Sequence, residues 1–220
     1  MLRRLSQRAE FWCIVVLAFG YPIAESAWAL LQEPATGPIR ITDADLWVTV
    51  GYELVVGMLI LTILRLRGMP WAAWRPRLGQ VETIHGIGLF FAAVMSMWLA
   101  YGLVSGFPGA ADRLAARPVE GALGLVAIVA AALVNPVFGE AINLGYLQER
   151  LRGHGAATAI GAVLLVRLLT HAYEGPHAIV GVLPVGLVFG VYVWRTGRVW
   201  PAILAHLLLD LIGLLALRGG

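Results

Sequence analysis

The chain has 220 residues, 60% of them hydrophobic and only 13% charged, with a mean hydropathy of +0.81. So large an apolar excess defines an all-α, polytopic membrane protein, and long apolar runs in place of short alternating ones exclude a β-barrel. The net charge of +3 comes from 16 arginines and no lysine. Most of these sit in loops beside helix ends, so the charge carries no signal for nucleic acid. The single cysteine, Cys13, lies in the first apolar run and excludes an internal disulfide.

Arg3, Arg4 and Arg8 precede the apolar run 11–31, which ends near Ser26-Ala27-Trp28-Ala29. This resembles a signal peptide with its cleavage site, but the run is long for that purpose and contains Tyr21, Pro22 and Glu25, so a retained first helix is expected. Residues 46–64 form the second span and 83–104 the third. The basic connector between them, 65–80, carries Trp71 and Trp74, whose indoles favour the membrane interface. After a Gly- and Pro-bearing loop at 105–118, residues 119–152 read as one long helical region bent at Pro136, where a backbone donor is missing. The run 153–155, Gly-His-Gly, breaks it. Further spans follow at 156–171, 176–194 and 200–217. The count is seven helices, or eight if the long fourth region divides. Residues 1–118 thus form three helices with their connector, and 119–220 a second group of helices, within one membrane domain.

With the N-terminus inside, eleven arginines fall in inner segments and four, Arg40, Arg113, Arg117 and Arg218, in outer ones. This positive-inside bias places the N-terminus in the cytoplasm, with a bacterial inner membrane as the expected location and the lipid bilayer as an obligate partner.

From Asn135 to Asp210 an otherwise apolar stretch holds Glu140, Arg167, His171, His206 and Asp210. Asp or Arg at the centre of a membrane helix costs about 2.5–3.5 kcal/mol, so such groups face each other or a wet cavity and mark a functional site. If 153–155 is the turn of an antiparallel helix pair, Glu140 and His171 lie at one depth and Leu144 and Arg167 at another, one helical turn nearer the turn. Arg167 and His171 share a face at i,i+4, as do His206 and Asp210. Three helices can therefore feed one polar cluster in the inner half of the bilayer. Glu25 and Glu53 read as packing or interface acids, His85 and His154 as interfacial or solvated, and His177 as a loop residue. Gly181, Gly186 and Gly190 permit close helix contact.

These residues resemble the CAAX protease and bacteriocin-processing enzyme family, which includes the type II CAAX prenyl proteases. Its members carry EExxxR before a Gly-x-Leu helix, then FxxxH, then HxxxN or HxxxD. Here Gly145-Tyr146-Leu147-Gln148 matches the segment after the first motif, His171 the second motif, and Trp194-Arg-Thr-Gly197 with Trp200-Pro-Ala-Ile-Leu-Ala-His206 and Asp210 the third. The resemblance covers roughly residues 133–215. It departs from the pattern where Gly139-Glu140 replaces the paired glutamates, Leu144 the motif arginine and Arg167 the motif phenylalanine.

The resemblance implies a glutamate-dependent intramembrane endopeptidase acting on a membrane-anchored or hydrophobic peptide. Glu140 and His171 would activate water, and His206 with Asp210 would bind the oxyanion or leaving group, supported by Arg167 and Asn143. No metal or other cofactor is implied. No serine joins the cluster, and Cys13 lies far away along the chain. Two alternatives stay open: a non-proteolytic member serving immunity or scaffolding, and a metal or transport site built from Glu140, His171, His206 and Asp210, ligand types that suit zinc or iron. The arginine missing at position 144 reappears as Arg167 on the facing helix, where it is expected to pair with Glu140.

Overall fold

The computed structural model describes residues 6–31, 39–69, 79–107, 119–120 and 123–218. Seven apolar helices account for nearly all of them: α1 (Gln7–Leu31), α2 (Asp43–Leu66), α3 (Gln80–Ser105), α4 (Leu125–Gln148), α5 (Ala156–Thr170), α6 (Pro176–Thr196) and α7 (Trp200–Arg218). Six of these are long and apolar enough to cross a membrane, while α5, with 15 residues, is shorter. The protein is thus a polytopic helical membrane bundle. Arg3 and Arg4, the connector tryptophans Trp71 and Trp74, and the side chain of His177 lie outside the described residues.

The helices close a circuit in which each packs on two neighbours: α1 on α2, α2 on α4, α4 on α7, α7 on α3, α3 on α6, α6 on α5, and α5 back on α1. The first three helices are therefore interleaved with the last four. The second half of α4 turns inward and touches α1, α5 and α6 as well. It separates two apolar cores. Ile142 and Tyr146 face Ile14, Ala18, Ile60 and Leu64 of α1 and α2, whereas Leu144 and Leu147 face Ala93, Val163, Phe189 and Ala205.

This inward half is also where helix geometry changes. The chain stays α-helical through Pro136, at which the sequence predicts a bend, and becomes π-helical over Ala141–Gln148. The i→i+5 bonding of a π-helix widens the turn and re-aims the side chains that follow; such segments gather at functional sites.

Both ends of the bundle are pinned by polar bonds. At one end Thr42 and Asp45 form a reciprocal cap on α2, Asp43 Oδ1 accepts from the Gly124 amide at 2.7 Å, and Ile39–Arg40 pairs in parallel with Val119–Glu120. At the other end the buried carboxylate of Glu10 on α1 accepts from Arg67 Nε at 2.6 Å, from the Tyr146 hydroxyl at 3.1 Å and from Arg150. The start of α1, the end of α2 and the end of α4 thus share one side, as the arginine count requires. In that turn Gly155 adopts φ 92°, and Gly197 caps α6 at φ 66° with its amide donating to Val193 O. Both conformations favour glycine.

Cysteine-accessibility labelling of His154→Cys in oriented membranes, with Cys13 removed, is expected to report the face on which α1 starts, and labelling of Asp45→Cys the opposite one. Both residues on one face would overturn the topology.

Candidate active site

The polar cluster forms where α4, α5 and α7 meet. Along α5 the buried residues are Ala159, Val163 and Arg167, a stripe at i,i+4 that leads the guanidinium into the bundle. Arg167 ion-pairs with Glu140, the last residue of α4 before its π-helical half; Glu140 has no exposed surface. The other Glu140 oxygen faces His206 Nδ1 at 2.7 Å. On its far side the His206 ring meets Asp210 Oδ1 at 3.3 Å, one turn along α7, and Asn135 of α4 donates through Nδ2 to Asp210 Oδ2 at 2.8 Å. The imidazole thus stands between two carboxylates, an arrangement that a doubly protonated ring satisfies on both sides.

Gly186 of α6 makes room for this geometry. A Cβ there would come within 2.9 Å of both Arg167 Cδ and Leu164 Cδ2. Phe189, one turn on, holds its ring 6.0 Å from the Arg167 guanidinium and 6.5 Å from the His206 ring. The close contact expected of the α6 glycines is therefore, at Gly186, contact with the site arginine itself.

Glu140, Arg167, His206 and Asp210 come together, including the Glu140–Arg167 pair read from the hairpin depths. His171 does not join them. It ends α5, is 40% exposed, and faces Glu174 Oε1 through Nδ1 at 3.0 Å, with no hydrogen bond or ion pair to Glu140. The depth argument assumed two straight α-helices, whereas α4 turns π-helical just after Glu140 and His171 has already left helical geometry (φ −108°, ψ 6°). Arg167, a turn earlier but longer, reaches the carboxylate instead. The four-ligand metal set thus does not assemble, and no three His, Cys, Asp or Glu side chains among the described residues are placed to hold a metal ion. Asn143 is buried in the π-helical segment with Oδ1 unpartnered.

Two residues with no site role in the sequence reading belong to this region. Asn135 orients Asp210. Glu53 of α2, read as a packing acid, is buried and close enough to feel the charges of Asp210 and His206. The cost argument that singled out Glu140 applies equally to a glutamate midway along a 24-residue apolar helix.

A buried carboxylate, an arginine and a histidine–aspartate pair inside a membrane bundle define an intramembrane site for proton-transfer chemistry. Residues 121–212 match the family model described as type II CAAX prenyl endopeptidase Rce1-like. This segment, spanning α4 to most of α7, is thus similar to the CAAX prenyl endopeptidases, and the match covers less than half of the chain. No curated protein and no solved structure matches the chain.

Removing one member of a buried ion pair strands the other, at a cost of about 3–5 kcal/mol, whereas removing both is far cheaper. Arg167→Leu is expected to lower the unfolding temperature in detergent markedly, and Arg167→Leu with Glu140→Gln to restore most of the loss. Additive losses would show that the pair does not hold the site together. Gly186→Val, which crowds Arg167, should destabilise by about 1–3 kcal/mol.

Proposed function

We propose that the protein is a glutamate-dependent intramembrane endopeptidase that cleaves a peptide held to the membrane by a lipid or a hydrophobic segment. The observation that carries this reading is the Glu140–His206–Asp210 line, with Arg167 on the other Glu140 oxygen. Glu140 is the base: it takes a proton from water as the water oxygen attacks the scissile carbonyl. Arg167 and His206 hold the carboxylate in place, and the exclusion of bulk water strengthens every charge interaction there. His206, held between Glu140 and Asp210 with both ring nitrogens engaged, sets an imidazolium charge beside the oxygen that becomes negative in the tetrahedral intermediate. Asn135 fixes Asp210 in turn, so the imidazole is oriented from two helices. His171 with Glu174 stands at the more exposed end of α5, on the approach to the buried acid, and Asn143 supports from the π-helical segment.

A cleavage site in the membrane suits a substrate whose scissile bond is delivered by its anchor. The exposed large side chains of α1, α2 and α3, among them Trp12, Val55, Phe91 and Trp98, form the lipid-facing surface across which such an anchor would travel. One observation favours a second reading, a non-proteolytic relative: Glu140 has no exposed surface and both its oxygens are engaged. In that case the cluster is a structural clamp.

The two readings separate in a cleavage assay on purified protein in lipid, with a prenylated peptide of CAAX type and its unlipidated counterpart. Glu140→Gln and His206→Ala are each expected to lower the rate by about 10²–10⁴-fold, while His171→Ala, which does not touch Glu140, should cost less. Cleavage is expected to favour the lipidated peptide. Full activity in Glu140→Gln would remove Glu140 as base, and absence of cleavage by the wild type would favour the clamp.

A further inference from the structure

Among the described residues near the site, Glu53 is an acid with no cation bonded to it. It lies on the stripe Val50, Glu53, Gly57, Ile60 and Leu64, the face of α2 turned inward, and is itself 7% exposed. One turn on, a Cβ at Gly57 would meet the Phe138 ring at 3.5 Å, which seats this face of α2 on α4 two residues before Glu140. Its carboxyl feels Asp210 most strongly and His206 next, and the hydroxyl-bearing Tyr52 stands beside it on α2. The Tyr52 hydroxyl donates to the Leu17 carbonyl at 2.8 Å, away from the site. No arginine or histidine bonds to Glu53 among the described residues, and its Oε2 is buried with no hydrogen-bond partner.

The charges already present balance without it. Glu140 is met by Arg167 and His206, and Asp210 by His206 and the Asn135 amide. A further anion in this apolar seam would be uncompensated and expensive, so Glu53 fits there as a neutral carboxylic acid, a group with a proton to give. Its position relative to His206 is equally specific. Glu140 lies against Nδ1 of the ring and Asp210 against Nε2, and Glu53, one turn from the Gly57–Phe138 contact, is within electrostatic reach of Asp210 and His206. An ionised and a neutral carboxyl thus lie in one buried polar region, as hydrolysis of an amide requires of groups acting on water and on the leaving nitrogen.

We propose that Glu53, from a helix outside the family-matched segment, is the general acid of this site and protonates the amine leaving group. The proposal rests on the peptidase reading. Water oxygen bonds to the carbonyl carbon while Glu140 takes a water proton. The C–N bond then breaks, its electron pair stays on nitrogen, and Glu53 delivers its proton there. The products are an acid and an amine, with Glu140 protonated and Glu53 ionised. Proton passage from Glu140 through His206 and Asp210 to Glu53 restores the starting state without any further reactant.

The test pairs infrared spectroscopy with kinetics on full-length protein in lipid bilayers. Glu53→Gln is expected to remove a carboxylic-acid C=O band present in the wild type. It should lower kcat on the lipidated CAAX-type peptide by about 10²–10³-fold at nearly unchanged KM, and abolish the alkaline limb of the pH profile, where an acid loses the proton it must donate. Glu53→Asp should keep a shifted band and part of the rate, and it carries the test if Glu53→Gln does not fold. An unchanged band in Glu53→Gln overturns the proposal even if activity falls, and so does a lost band with unchanged kcat and pH profile. If the wild type cleaves no peptide, the peptidase reading and the leaving-group role fall together, while the band still decides whether Glu53 holds a proton.

Discussion

A carboxylate sealed inside an apolar bundle must be met by cations or the bundle opens to water, and Glu140 makes that demand on every helix around it. Arg167 has to arrive from α5, which requires a shallow α6 surface at Gly186 and a buried stripe along α5 that ends at position 167. His206 has to arrive from α7, which requires Asp210 on its other side and Asn135 behind Asp210. The chain of bonds from Arg167 to Asn135 crosses α5, α4 and α7. One charge therefore fixes the mutual placement of three helices that apolar packing alone would leave free to slide.

The second buried acid plays a different part. Glu10 gathers Arg67 and Arg150 with the Tyr146 hydroxyl at the arginine-rich end, joining α1 to the ends of α2 and α4. Tyr146 belongs to the π-helical half of α4, which begins directly after Glu140. The same short segment thus links the two polar clusters, one at the membrane edge and one in its interior. Its residues divide between two apolar cores, so a shift of this segment would disturb both. A π-helix, with its wider turn, is held where packing on several sides compensates its poorer geometry, and this one touches α1, α5 and α6.

Relative to the motif pattern that the sequence resembles, the guanidinium beside the acid comes from a different helix. The motif arginine is absent from α4, where Leu144 is buried in an apolar core, and the guanidinium comes instead from the position of the motif phenylalanine on α5. The exchange is physically reasonable because the pair, and not the helix of origin, satisfies the carboxylate. It also displaces the histidine of that motif from the acid: with Arg167 filling the space beside Glu140, His171 turns to Glu174 in the short turn after α5.

Composition and hydropathy were enough for the class of fold, since no arrangement but a helix bundle satisfies the backbone of so many long apolar runs in lipid. The cost of burying charge marked Glu140, Arg167, His206 and Asp210, and i,i+4 spacing paired His206 with Asp210. Depth counting from the 153–155 turn put Arg167 one helical turn from Glu140, and the missing arginine at position 144 pointed to the pair that forms. Sequence could not reveal that α4 changes helix type at residue 141, because nothing local to Ala141–Gln148 enforces it; packing on several sides does. That change, with the end of α5 at Thr170, decides that His171 stays apart. Nor could sequence join Glu53 to the site, since α2 and α7 are far apart along the chain and only the packing of both on α4 brings the acid within reach of the Asp210 and His206 charges. Spacing along one helix is written in the order of residues, whereas which helix lies beside which is settled by how the whole bundle buries its charges.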